Sequence, residues 1–89
     1  MRMKLLSEET PLNSPTDVFN ASLVRLHNTN TSLTELTQRS ADGAVTATVT
    51  LAKGEIVSIE KNPTDTLEAN GNVLAVKISY GSIYMEIDK

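Results

Sequence analysis

Two rhythms of apolar and polar positions divide the chain. From residue 18 to 37 the apolar residues fall at helical spacing. Phe19, Leu23 and Leu26 stand at i, i+4 and i+7, and Val18 widens the stripe. Ser14-Pro15-Thr16-Asp17 supplies the matching start: Ser14 as N-cap, Pro15 in the first turn, Asp17 where a capping box places an acid. His27-Asn28-Thr29-Asn30-Thr31 is poor helix material, and Ser32-Leu33-Thr34-Glu35 repeats the capping-box pattern. The segment therefore predicts either a broken helix, 15–28 and 32–39, or one helix running to Arg39. In the continuous version Phe19, Leu23, Leu26, Asn30, Leu33 and Thr37 form one row, with Asn30 as a polar residue in an apolar seam. A plain amphipathic helix lying on a sheet has the same stripe and is the preferred reading.

After the Asp42-Gly43 turn the period changes to two. Val45, Ala47, Val49 and Leu51 alternate with Thr46, Thr48 and Thr50, which predicts a strand. Ala52-Lys53-Gly54 fits a three-residue hairpin loop with Gly54 in the left-handed position. That loop would set Val49 opposite Val57, Ala47 opposite Ile59, Thr48 opposite Ser58 and Thr46 opposite Glu60. Residues 62–71 read as a polar connection from Asn62-Pro63-Thr64-Asp65 to Asn70-Gly71. A third strand, 73–80, carries Leu74, Val76, Ile78 and Tyr80 on one face. Gly81-Ser82 suits a two-residue turn into a fourth strand, 83–88. The pairs would be Tyr80–Ile83, Ile78–Met85 and Val76–Ile87 on one face, Ser79–Tyr84 and Lys77–Glu86 on the other. The expected fold is α+β: an extended N-terminal arm, 1–13, then a single domain, 14–89, in which the helix or broken helix packs on a four-stranded antiparallel sheet of two hairpins.

Composition narrows what such a domain can do. With 89 residues the chain makes one domain, of a size whose core alone gives marginal stability. It has no cysteine, which removes disulfides, thiolate metal sites and a cysteine nucleophile. Oligomerisation is the remaining way to reinforce a small scaffold. The formal net charge is −3 and the eight basic residues are scattered, without the basic stripe that counterion-release binding to nucleic acid requires. No apolar run approaches a membrane span. Acids follow the short basic start before an apolar h-region forms, so no signal peptide is expected and the predicted location is the cytoplasm or a virion. Asn20-Ala21-Ser22 and Asn30-Thr31-Ser32 match glycosylation sequons, read as chance in an Asn/Thr-rich chain.

No set of residues assembles into catalytic chemistry. His27 is the sole histidine, lies in a polar run, and has Ser22 five residues before it, off the i+3/i+4 positions. Glu86 and Asp88, beside Tyr84, could hold a hard cation, but Lys77 offers Glu86 a partner and charges there discourage edge pairing. The stretch from Asp65 to Asn72 lacks the spacing of a calcium loop, and Gly43, Gly54, Gly71 and Gly81 mark turns rather than a phosphate cradle. The reading is non-enzymatic, with no catalytic, cofactor or metal residues and no small-molecule substrate. The row Thr46, Thr48, Thr50 is the most unusual surface feature; it suits an exposed strand or a partner strand.

Ser40-Ala41-Asp42-Gly43-Ala44-Val45-Thr46-Ala47-Thr48-Val49, with Gly54 and the run from Ile59 to Pro63, locally resembles the YbaB/EbfC nucleoid-associated family. The resemblance covers about a third of the chain and implies a helix leading into strands, and nucleic-acid binding. The family pattern continues into a long C-terminal helix, where this chain has strand-like residues 73–88 and no basic surface. The function expected first is a structural or assembly protein, such as a small virion or phage component, acting as a homo-oligomer. The alternative is a small acidic protein-binding module or inhibitor of a host factor, and the third is a YbaB-like nucleic-acid binder. In an oligomer, Phe19, Leu23 and Leu26 are expected in the core, with strand 83–88 or arm 1–13 at the interface.

Overall fold

The computed structural model describes residues 2–81. Among them there is no helix; the fold is all-β, with antiparallel sheets of five and three strands. The strands are β1 (Arg2–Leu5), β2 (Thr10–Pro11), β3 (Leu23–Asn28), β4 (Thr34–Arg39), β5 (Val45–Leu51), β6 (Ile56–Glu60), β7 (Thr66–Ala69) and β8 (Val73–Gly81). The larger sheet runs β1-β8-β3-β6 with β2 also on β8, and the smaller runs β5-β4-β7.

The expected α+β fold is therefore corrected to all-β. Residues 15–39 form neither one helix nor two; they form β3 and β4. The helical row and a period-two row share Leu26, and period two also selects Val24, Leu26 and Asn28, which are the residues that are buried. Phe19 and Leu33, which the helical stripe required inside, are 56% and 68% exposed. Asn, Thr, Ser and His give the segment little helical propensity, so non-local pairing decides. β3 lies between β6 and β8, with Val24 opposite Ile59 on one side and Lys77 on the other.

The strand boundaries at 45–51 and 56–60 follow the alternation, and Gly54 has φ +75° as the turn demands. The expected pairing between these strands does not form. β5 pairs β4, with Val49 opposite Leu36, and β6 pairs β3, with Val57 opposite Leu26. The connection is thus an arch between sheets instead of a hairpin within one. Asn28 holds the arch open. Its N–H donates to Glu55 O (2.9 Å), its carbonyl accepts from Gly54 N–H (3.0 Å), and its side-chain amide donates to Leu51 O (3.1 Å) and Ala52 O (3.0 Å). These bonds bind both sides of the turn to the end of β3, so β6 continues along β3 and β5 departs into the other layer.

The connection 62–71, expected as loop, contains β7, whose Leu67 is fully buried. β8 has the extent of the expected third strand, flanked by β3 on one side and by β1 and β2 on the other, but its faces are reversed. Val73 and Ala75 enter the core, and Leu74, Val76, Ile78 and Tyr80, expected to pack inward, lie on the opposite face. The expected fourth strand, 83–88, lies outside the described residues. The core combines Val24, Leu26, Val73 and Ala75 of the larger sheet with Leu36, Leu51 and Leu67 of the smaller. Residues 10–17 bridge the layers. Leu12 donates its N–H to Val73 O (3.0 Å) on β8 and accepts from Ala69 N–H (2.8 Å) on β7, and Thr16 bridges to Leu67. This bridge covers the outer edge of β7.

Candidate functional site

The N-terminal bridge closes the sandwich on one side only. On the other side β5 and β6 end their sheets, and among the described residues nothing pairs with either outer edge. Between them the layers part in an apolar groove of about 220 Å³, lined by Leu36, Ala47, Val49 and Ile59. Ala47, Val49 and Ile59, expected to lie in one hairpin, face this groove from different sheets instead.

β5 is unusual among the edges. Every residue from 45 to 50 is exposed, with Val45 at 53% and Val49 at 47%. No charged residue occurs from Gly43 to Ala52, and none is a proline. Natural edge strands are ordinarily blunted by charge, proline, brevity or cover. The other edges follow that rule. β1 carries Arg2 and Lys4, β2 is two residues long with Pro11, β6 is enclosed by Glu55, Glu60 and Lys61, and β7 is covered. Thr48 and Thr50 lie opposite Thr37 and Glu35 of β4, on the face of β5 turned away from Leu36.

The free stretch has defined ends. Pairing with β4 shifts between Ala47 and Val45, a bulge that leaves Thr46 out of register, while its hydroxyl reaches Gln38 O at 3.3 Å. Ala44 N–H is held by the Asp42 carboxylate (3.1 Å), and hydrogen bonds from the Ser40 hydroxyl and from Ala44 N–H keep that carboxyl below its ordinary pKa. At the far end Ala52 N–H donates to the Glu55 carboxylate (2.7 Å). Regular, uncapped strand remains from Ala47 to Leu51.

A second cleft, about 590 Å³ and wide open, lies at one end of the sandwich, where Lys61, Asp65 and Gln38 gather. Two of its charged groups, Lys61 and Asp65, are committed to the fold, and Glu60 lines its exposed side. The Lys61 ammonium donates to Asn62 O (3.2 Å) and Pro63 O (3.5 Å), and Gln38 donates to Asp65 (2.8 Å). Burial lowers the Lys61 pKa, against the opposing pull of Asp17 and Asp65. This arrangement clasps the turn between β6 and β7.

Among the described residues, those singled out in the sequence do not converge. His27 is half-buried on β3 between Ile56 and Leu74, with Ser22 exposed ahead of the strand. Lys77 donates to Phe19 O (3.0 Å). Tyr84, Glu86 and Asp88 lie outside the described residues. Asp65 to Asn72 contains β7 and its flanking turns, and among the described residues no cluster of three or more His, Asp or Glu could hold a metal. Of the expected core trio, Leu26 is buried, Leu23 half-buried and Phe19 exposed. The open edge itself was visible only as a threonine row; its lack of charge was a signal, but its lack of a neighbour was not readable. Compared with family models, curated proteins and solved structures, the chain matches none.

Proposed function

We propose that this protein is a non-enzymatic assembly subunit that associates with copies of itself through a sheet edge, in the manner of a small structural component of a larger particle. The observation that carries the reading is β5: a strand exposed on both faces from Val45 to Thr50, with an edge that has no partner among the described residues and none of the charges or prolines that keep edges solitary. Backbone N–H and C=O groups on such an edge gain partners when another strand is added, the general mode of β-augmentation.

A second reading, a binding module for a different protein, is favoured by one further observation. On the outer face of the larger sheet Met3 and Leu5 stand opposite Tyr80 and Ile78, and Met3, Leu5, Ile56 and Tyr80 are all exposed. That face offers an exposed apolar surface.

Sedimentation velocity on the intact chain over a broad dilution series tests the first reading. A species heavier than the monomer that grows with concentration is expected. A monomer throughout overturns self-assembly and leaves the binding-module reading, for which the outer-face variant Leu5→Ser is the next comparison.

A further inference from the structure

We infer that the self-association surface is the stretch Ala47–Leu51 of β5, paired antiparallel with the same stretch of a second copy about a two-fold axis at Val49. This deepens the assembly reading and rests on it.

The register follows from the limits of the free edge. The bulge at Thr46 ends the regular ladder on one side, and the Glu55 carboxylate occupies Ala52 N–H on the other. Val49 is the midpoint of what remains. An antiparallel pair related by a two-fold axis is isologous, so each residue and its partner sit symmetrically about the midpoint. Val49 then meets Val49 of the second copy, Thr48 meets Thr50, and Ala47 meets Leu51.

Each pair joins like with like. Opposed residues of an antiparallel pair project to the same face. The apolar members, Ala47, Val49 and Leu51, fall on the face that lines the groove with Leu36 and Ile59. The hydroxyl members fall on the outer face as cross-strand Thr–Thr pairs, a favourable combination. Because the stretch is uncharged, bringing two copies together sets no like charges against each other. A foreign strand could accept the same backbone bonds; the match of both faces under a two-fold is what selects a second copy. The product is a continuous six-stranded sheet, β7-β4-β5 followed by β5-β4-β7 of the second copy.

Five residues of edge bury much less than the roughly 1,200 Å² of a stable interface. The pair is therefore expected to dissociate on dilution, and a two-fold contact of this kind closes at a dimer.

The absence of cysteine makes the register directly readable. Directly opposed Cα atoms in an antiparallel pair are about 4.5–5.5 Å apart, within disulfide reach. Val49→Cys is expected to oxidise to a covalent dimer. Ala47→Cys is the control: its own copies lie four residues apart along the strands, about 13 Å, and do not link. Thr48→Cys mixed with a mass-tagged Thr50→Cys is expected to give the mixed dimer. The double variant T48K/T50K places lysine opposite lysine at both hydroxyl pairs and should weaken association by about tenfold or more. Both positions are exposed, so its thermal melting should match the parent.

If the parent chain self-associates but Val49→Cys fails to link, or T48K/T50K associates as before, the β5 pairing is overturned and the assembly reading survives on another surface. If the parent is monomeric and Val49→Cys does not link, both fall.

Discussion

Asn28 shows how one polar side chain can select between topologies. It is fully buried, and its amide donates to Leu51 O, Ala52 O and Ser32 O, while Oδ1 accepts from Asn30 N–H and the Thr34 hydroxyl. A buried polar group is tolerated because it is satisfied. Gly71 belongs to the same arrangement: a Cβ there would lie 2.6 Å from Asn30 Nδ2 and 2.8 Å from the Thr34 hydroxyl, so the position has no room for a side chain. Asn28→Leu takes the amide donor from the Leu51, Ala52 and Ser32 carbonyls, of which only the Leu51 bond is buried and Ala52 O keeps the Glu55 N–H. It also takes the Oδ1 acceptor from Asn30 N–H and the buried Thr34 hydroxyl, and should cost about 2–4 kcal/mol in urea unfolding. N28D sets a carboxylate against those carbonyls and should cost more at neutral pH. Burial and the acceptors raise its folded-state pKa above the unfolded value. The protonated carboxyl can donate, so N28D should regain stability as pH falls through that raised value. A variant whose stability is indifferent to acid in this range would remove Asn28 from this role.

Among the elements, the turn before β3 is the most strained. Val18, Phe19 and Asn20 have φ of 53°, 58° and 57°, consecutive left-handed residues of which only Asn20 is a type that tolerates the region. The turn is secured by Ala21 N–H donating to Asp17 O and Val18 O (both 3.2 Å), by Lys77 on Phe19 O, and by the complete burial of Val18. Each such residue costs about 1–2 kcal/mol. Phe19→Gly should therefore be more stable than Phe19→Ala by about 1 kcal/mol, a reversal of the order expected in a regular element. Denaturant midpoints of the two variants measure this, and an alanine variant equal to or better than glycine would reject the left-handed turn. The same element explains why a convincing helix start at Ser14 leads to no helix. Pro15 and Asp17 are equally at home in a turn, and the Thr16 hydroxyl accepts from Val18 N–H (3.1 Å).

For the whole molecule, the N-terminal segment is what joins the layers. Leu12 is fully buried where the chain passes from β8 to β7, so it contributes to both sheets at once. Leu12→Ala should cost about 2–5 kcal/mol by thermal or urea unfolding, against less than about 0.5 kcal/mol for the exposed Leu33→Ala. Equal effects would mean that the segment does not bridge the core. Deleting residues 1–13 removes this leucine with β1 and β2, so loss of assembly in such a truncation would report lost folding. The point variants on β5 keep the two apart.

Local chemistry was readable from the chain alone wherever one neighbourhood contained the whole signal. The alternation at 45–51 and 73–80, the turns at Gly43 and Gly54, and the uncharged threonine row all depend on residues close in sequence. Partner choice does not. Period two at Val24, Leu26 and Asn28 competed with an equally good helical row, and only the presence of β6 and β8 on either side resolved it. Short β7 offered one large apolar residue, Leu67, and became a strand because β4 and the N-terminal bridge supply its hydrogen bonds. Whether β5 and β6 pair or part depended on Asn28, more than twenty residues earlier in the chain. An open edge is a statement about which neighbour is missing, and that is decided when the other strands have taken their places.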